Sequence, residues 1–316
     1  MLTGFMQLIS FIGSAVFYLP LLVLVFWCVD ARLGARLAVI MSASSVINTV
    51  LKVTFHEPRP FWTDPSITGH ESRHSFGMPS GHAQSAAVFY GFLGIRWPRP
   101  LVWAGAALMV VLIGLSRVHL GVHSIWQVLA GWAIGGVIVV LAFWLGPFVV
   151  SRWARQPIAL QLALSLAVSL LCLAASWTAV RSLGGWQWPD TWARAIVEAG
   201  GTAEPVTHYE GAAAAGGLFG ILAGLSWTGW RGWFEAGGEV WRRLARIPVG
   251  VSGVLAIYGA GLFLGTTDPL AGFVVQGLLG LWVAAGAPEA FVRLRLTTRA
   301  PRVLTRPGEE LSQLPQ

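Results

Sequence analysis

Long apolar runs separated by short polar stretches set the rhythm of this chain. Runs able to cross about 30 Å of hydrocarbon occur near 5–29, 35–55, 80–96, 101–118, 124–149, 158–180, 211–230, 247–265 and 269–291. Backbone in lipid is satisfied only in helices or closed barrels, and the period here is not that of a barrel. The pattern therefore predicts an all-α, polytopic integral membrane protein with about nine transmembrane helices. The third run is the weakest, because Ser80, His82, Gln84 and Ser85 stand at its start. A polar start suits a helix buried among other helices.

Composition agrees with this reading. Of 316 residues 55% are apolar and only 11% charged, with a mean hydropathy of +0.66, which excludes an ordinary soluble globule. The 17 tryptophans suit interfacial belts. The formal charge of +7 does not point to nucleic acid, since the basic residues sit mostly in short loops, where they orient the chain in a membrane. Assigning alternate loops to alternate faces puts fifteen arginines on one side, including Arg32, Arg36, Arg96, Arg99, Arg152 and Arg155. The other side receives Lys52, Arg59, Arg73, Arg117, Arg181 and Arg194, together with all seven histidines. The arginine-rich face is predicted to be cytoplasmic, with the N-terminus and the histidines outside and the C-terminus inside. The N-terminus carries no basic segment and no cleavage site follows the first run, so that run is read as a retained span. Cys28 and Cys172 both fall inside apolar runs and are read as packing residues.

Against this background the ionisable residues inside or beside the runs stand out. A charged group at the centre of a span costs roughly 2.5 to 3.5 kcal/mol, so a cluster of them marks function. Three stretches qualify: Lys52-Val-Thr-Phe-His-Glu-Pro-Arg59-Pro60, Pro79-Ser80-Gly81-His82, and Ser116-Arg117 followed by His123. Read as KxxxxxxRP, PSGH and SRxxxxxH, each at a span boundary, they resemble the three signature motifs of the type 2 phosphatidic acid phosphatase family, a superfamily of membrane-integral histidine phosphatases. The resemblance covers the first half of the chain.

The residue types fit phosphoryl transfer, in which negative charge spreads over three oxygens and must be met by cations and N–H donors. Lys52, Arg59 and Arg117 supply the cations. Ser80 and Gly81 open a helix, whose first N–H groups favour an anion. The residues alone leave open which histidine attacks. The resemblance implies that His123 is the nucleophile, forming a phosphohistidine, and that His82 protonates the leaving oxygen, without a metal or cofactor. One position departs from the family: an Asp commonly stands four residues after the nucleophile, and here it is Gln127. On a helix Gln127 shares a face with His123, and its amide oxygen can accept the Nδ1–H but cannot neutralise the ring. Glu57, Asp64 or Glu71 is an alternative source of the missing carboxylate. The glucose-6-phosphatase branch of the same superfamily also has a glutamine there, with nine spans and an outward site.

His119 and His56 are candidate pocket residues, each with a packing role as the alternative. His70, His74 and His208 read as loop residues, and no close-spaced Cys/His/carboxylate pattern suggests zinc. Gly131-x-x-x-Gly135 reads as helix packing. The chain divides into residues 1–156 with the motifs, 157–291 as an added transmembrane block, and 292–316 as a basic, disordered cytoplasmic tail. The loop 181–210, with Trp186, Trp188 and Trp192, is read as an interfacial helix, with a lid as the alternative. Residues 231–246 are expected to lie on the inner membrane surface. The expected partners are membrane lipids and a phosphorylated substrate, a lipid such as a polyprenyl diphosphate, phosphatidate or phosphatidylglycerol phosphate, or alternatively a sugar phosphate. A lipid phosphotransferase, or a non-enzymatic scaffold or transporter with a degenerate anion site, are the other readings.

Overall fold

A computed structural model describes residues 1–71, 75–187, 189–202, 206–263 and 268–299. Arg73, His74, Trp188 and the tail beyond Arg299 lie outside the described residues. The described chain is helical, with a single isolated bridge between Phe234 and Arg299. In chain order the helices are α1 (Leu2–Ile12), α2 (Ala15–Cys28), α3 (Ala31–Phe55), α4 (Pro60–Thr63), α5 (Gly81–Arg96), α6 (Pro100–His119), α7 (Ile125–Ala154), α8 (Ile158–Ser182), α9 (Asp190–Glu198), α10 (His208–Arg231), α11 (Val240–Leu262), α12 (Pro269–Leu281) and α13 (Ala287–Arg293). A π-helical turn, Trp282–Gly286, joins the last two.

Seven helical stretches are long and apolar enough to cross a membrane, or eight when the bent pair α1 and α2 counts as one span. Among the described residues this count does not confirm the expected nine. α5 has only 16 residues, and the first predicted span is broken at Gly13 and Ser14, where α1 and α2 meet at 43°. α5 is short because its start is polar and buried. Gln84 donates to the Ser44 carbonyl at 2.9 Å and accepts from Asn48 at 2.9 Å, which ties α5 to α3.

Helix starts follow their caps. The Asp30 carboxylate accepts the N–H groups of Arg32 and Leu33 at the start of α3, and Ser80 caps α5. At α7 Ser124 and Gln127 form a reciprocal capping box, the S-x-x-Q pattern that satisfies two orphan N–H groups at once. The glycine pair reads out as expected: a Cβ on Gly131 would stand 2.6 Å from the Ser80 carbonyl, and one on Gly135 would stand 2.7 Å from that of Gln84. Only glycine lets α7 lie this close to α5.

Two peripheral expectations are corrected, and the helix expected in the loop after α8 is present. Residues 231–246 are not a separate surface helix. Phe234 is buried, α11 begins at Val240, and Arg246 is buried with its guanidinium on the carbonyls of Trp27, Ala236, Gly237 and Leu296. A guanidinium saturated by four carbonyls anchors the loop instead of greeting lipid headgroups. The start of the tail is ordered too: Leu296 is buried, and Arg299 pairs with Glu289 at 2.6 Å. The loop after α8 does hold a helix, α9, but its buried Ile196 packs with Phe61, Trp62, Leu120 and Val122, on the motif loops.

Candidate active site

α3 and α6 end, and α5 and α7 begin, at one end of the bundle, opposite the arginine-bearing ends at Arg32, Arg36, Arg96 and Arg152. All three motifs therefore converge at a single end. His123 lies in the turn between α6 and α7 and is only 3% exposed. Its Nε2 is 3.0 Å from Arg59 Nη1, and its Nδ1 is 3.1 Å from Gln127 Oε1.

These two contacts fix the tautomer. Arginine can only donate, so Nε2 presents its lone pair and the ring proton sits on Nδ1. The Gln127 amide is itself oriented by backbone groups: its oxygen accepts from the Ser124 N–H at 3.2 Å, and its nitrogen donates to the Pro58 carbonyl at 2.8 Å and to Glu57 Oε1 at 3.1 Å. Oxygen must therefore face His123. Gly77 closes the other side, where a Cβ would lie 2.4 Å from Gln127 Nε2.

Arg59 is buried and held in place by its surroundings. It donates to the carbonyls of Ser75 at 2.7 Å, Val122 at 2.9 Å and Phe76 at 3.2 Å, and Trp62 lies under its guanidinium. Lys52 donates to the Phe76 carbonyl. Burial first, and then the charges of Arg59, Lys52, Arg117 and His82, hold the His123 imidazole well below the usual histidine range. Burial and the neighbouring cations thus both favour the unprotonated ring.

Other predicted residues stand differently. Arg117 is buried, but its Nη1 is engaged by Glu71 at 2.9 Å and by Ser10 of α1. The Ser80 N–H donates to the Gln127 carbonyl at 3.0 Å and its hydroxyl caps α5, so of the Ser80–Gly81 pair only Gly81 offers a first-turn N–H. The small size of Gly81 also serves Asn48, which a Cβ would approach to 3.1 Å. His82 follows it, half-buried, in the same turn. His119 is not part of this cluster: it is exposed, with Nε2 3.5 Å from Thr3. His56 takes a left-handed conformation at the end of α3 and sits on the rim, its ring 5.8 Å from Trp186 and 6.1 Å from Phe76. Trp186 in turn meets Trp192, which stacks near Trp62. An aromatic wall contributed partly by the loop after α8 thus borders the motif loops. Glu57, inside the first motif, is one of the three candidate carboxylates, whereas Gly77, just ahead of the second motif, has no signal of its own in the sequence.

Comparison with known proteins extends this picture. The family model described as the PAP2 superfamily matches residues 33–151, and a second, described as PAP2 superfamily phosphatase, transmembrane extension, matches residues 212–299. The chain is similar to phosphatidylglycerophosphatase B of Bacillus subtilis, 34% identical over 140 residues that cover 40% of this chain and 66% of that protein. It is also similar to human sphingosine-1-phosphate phosphatase 2, 33% identical over 146 residues covering 43% of this chain and 36% of that one. A crystal structure of a transmembrane PAP2 type phosphatidylglycerolphosphate phosphatase from Bacillus subtilis is 30% identical, covering 45% of this chain and 75% of that one, with a TM-score of 0.39. This chain thus spans less than two thirds of the full length of the first two relatives.

Proposed function

Because this chain belongs to the PAP2 superfamily, we propose that it is an integral membrane phosphatase that hydrolyses a lipid phosphate through His123. The observation that carries this reading is the His123 ring itself: buried, with Nε2 on the Arg59 fork and Nδ1 on the Gln127 oxygen.

In this reading the substrate phosphate enters between Lys52, Arg59, Arg117 and the Gly81 N–H. Arg59 Nη1 turns from Nε2 to a phosphate oxygen, and the freed lone pair attacks phosphorus in line with the ester bond. The bond to the leaving oxygen breaks as His82 gives that oxygen a proton, leaving a phosphohistidine. His82, now neutral, takes a proton from water, whose oxygen displaces Nε2 and releases inorganic phosphate. The cations neutralise charge in both steps. Arg117 must share itself between Glu71 and phosphate.

The lipid class follows from the aromatic wall of Phe76, Trp186 and Trp192 at the bundle end, the level at which headgroups lie, and from the named activities of the relatives. A sugar phosphate finds no support among those relatives. The arginine asymmetry supports an outward-facing site with the C-terminus inside. We assign the chemistry to residues 1–156 and a supporting role to 157–291.

Phosphate release from phosphatidylglycerol phosphate, sphingosine-1-phosphate and glucose 6-phosphate in detergent tests the proposal. The two lipids are expected to turn over faster than the sugar. His123→Ala is expected to lower kcat by about a thousandfold or more, and acid-labile labelling of the protein by a labelled lipid phosphate should disappear with it. Turnover undiminished in that variant defeats the mechanism, whereas a parent that releases no phosphate from any of the three leaves the scaffold reading standing.

A further inference from the structure

We infer that Glu57 is a positioning residue for His123, its carboxylate acting on the imidazole through the Gln127 amide. The inference rests on the phosphatase reading above and adds a residue to it.

Three carboxylates were candidates for the charge that Gln127 lacks. Asp64 is turned onto its own loop, accepting from the Ser66 N–H at 2.9 Å and hydroxyl at 2.7 Å. Glu71 is taken by Arg117 and by the Ser10 hydroxyl at 2.8 Å. Glu57 alone among them has a bond to Gln127, accepting from Nε2 at 3.1 Å. The second hydrogen of that amide goes to the Pro58 carbonyl, so both amide hydrogens have acceptors and turning the group would lose both bonds. The backbone around Glu57 is fixed as well, since its carbonyl accepts from the Gly77 N–H at 2.8 Å, and Pro58 and Pro60 stiffen the chain on its C-terminal side.

The result is a chain of two hydrogen bonds, from carboxylate to amide N–H and from amide oxygen to the imidazole Nδ1–H. An amide is a conjugated group. A negative charge bonded at its nitrogen end pushes density toward its oxygen, and hydrogen bonds in series strengthen one another in this way. The Gln127 oxygen thereby becomes a better acceptor at the moment His123 gains positive character, when Nε2 bonds to phosphorus. Gln127 alone orients the ring; with Glu57 behind it, it also passes on part of a charge.

An isosteric exchange separates charge from shape. Glu57→Gln keeps an acceptor for Gln127 and removes only the charge; measured on phosphatidylglycerol phosphate, kcat is expected to fall about tenfold with KM within about twofold. Gln127→Glu alone puts two carboxylates in contact and is expected to fall further. The double exchange Glu57→Gln with Gln127→Glu moves the charge next to His123 and should recover kcat above both single variants, a non-additivity that independent structural damage does not produce. A readout besides activity is the Nδ1 proton resonance of His123 in histidine-labelled protein, identified by its loss in His123→Ala and expected to move upfield in Glu57→Gln. Glu57→Gln with kcat within twofold of the parent and an unmoved resonance overturns the inference, as does a loss that the double exchange leaves unrecovered. A parent protein that releases no phosphate while the resonance moves would instead refute the phosphatase reading and leave the link from Glu57 to His123 in place.

Discussion

The front of the bundle, α3 to α7, and the rear, α8 to α13, bring their helices together by different means. In front, the glycine approach of α7 to α5 is joined by polar groups that reach between elements: Gln84 bridges Ser44 and Asn48, Arg59 gathers three carbonyls, and Gln127 binds both a helix cap and a histidine. In the rear, a few hydroxyls such as Ser169 and Thr228 donate to carbonyls of the neighbouring helix, and glycines set the closest approach. A Cβ on Gly216 would lie 2.1 Å from the Phe273 carbonyl and one on Gly220 2.1 Å from that of Gly277, so α10 and α12 meet backbone to backbone. Lipid offers no hydrophobic drive between helices, which leaves close packing and hydrogen bonds to hold them. The front spends its contacts on aiming side chains, whereas the rear makes a rigid support. The rear packs on α3 through α8 and α10 and reaches the motif loops through Ile196, while Arg246 at the opposite end ties it to α2 through the Trp27 carbonyl.

The same substitution made in each half puts this contrast to the test. Gly220→Ala forces a methyl group against backbone that cannot step aside, so stability in detergent should fall by about 1–3 kcal/mol, an effect that outweighs the helical preference for alanine. The kcat of the folded fraction should stay within about twofold of the parent, read by thermal unfolding beside phosphate release. Gly77→Ala meets only a side-chain amide, which can move, but moving it breaks the bonds from Gln127 to His123, Pro58 and Glu57. Its kcat should fall about tenfold with a smaller change in unfolding temperature. If both variants lose stability and keep kcat, the distinction between aiming and support is wrong.

Much of the arrangement in front was legible because it is built on charged residues that a membrane chain otherwise avoids. Lys52, Arg59, His82, Arg117 and His123 announce themselves at span boundaries, and their influence on a single imidazole follows from α3, α5, α6 and α7 alternating in direction. The partners of those residues were harder to see. The pairing of Arg117 with Glu71 and Ser10 depends on where α1 lands, and the use of the Ser80 N–H by Gln127 depends on how close Gly131 lets α7 come. Neither distance has a local signature. The capping box did have one, in Ser124-Ile-Trp-Gln127, and it shows that the departure from Asp at this position also starts a helix. Periodicity marked apolar runs but not their breaks: the bend between α1 and α2 falls at Gly13 and Ser14 inside a continuous apolar run, and the short α5 starts on buried polar contacts that hydropathy does not weigh. The buried Arg246 shows the same limit, since counting arginines by loop treats a saturated guanidinium like a solvated one.

The contrast has an electrostatic form, which predicts a smaller effect. The front concentrates cations around one neutral imidazole, and burial together with Arg59, Lys52, Arg117 and His82 keeps His123 below its ordinary range. For an attacking base the deprotonated form is the active one, so kcat/KM should hold as pH falls through the usual histidine region and fail only on the acid side of it. Lys52→Met removes one of those cations, so the imidazole binds a proton more readily and the acid limb of kcat/KM should move to higher pH. The height of the profile should fall as well, because the phosphate loses a partner, but height and position are separate readouts. Burial and Arg59 remain in the variant, so the limb should move only part of the way back to an unperturbed histidine. A pH titration of phosphate release by parent and variant at one ionic strength measures it. A limb that stays in place, or moves to lower pH, means that Lys52 does not act on His123 through its charge.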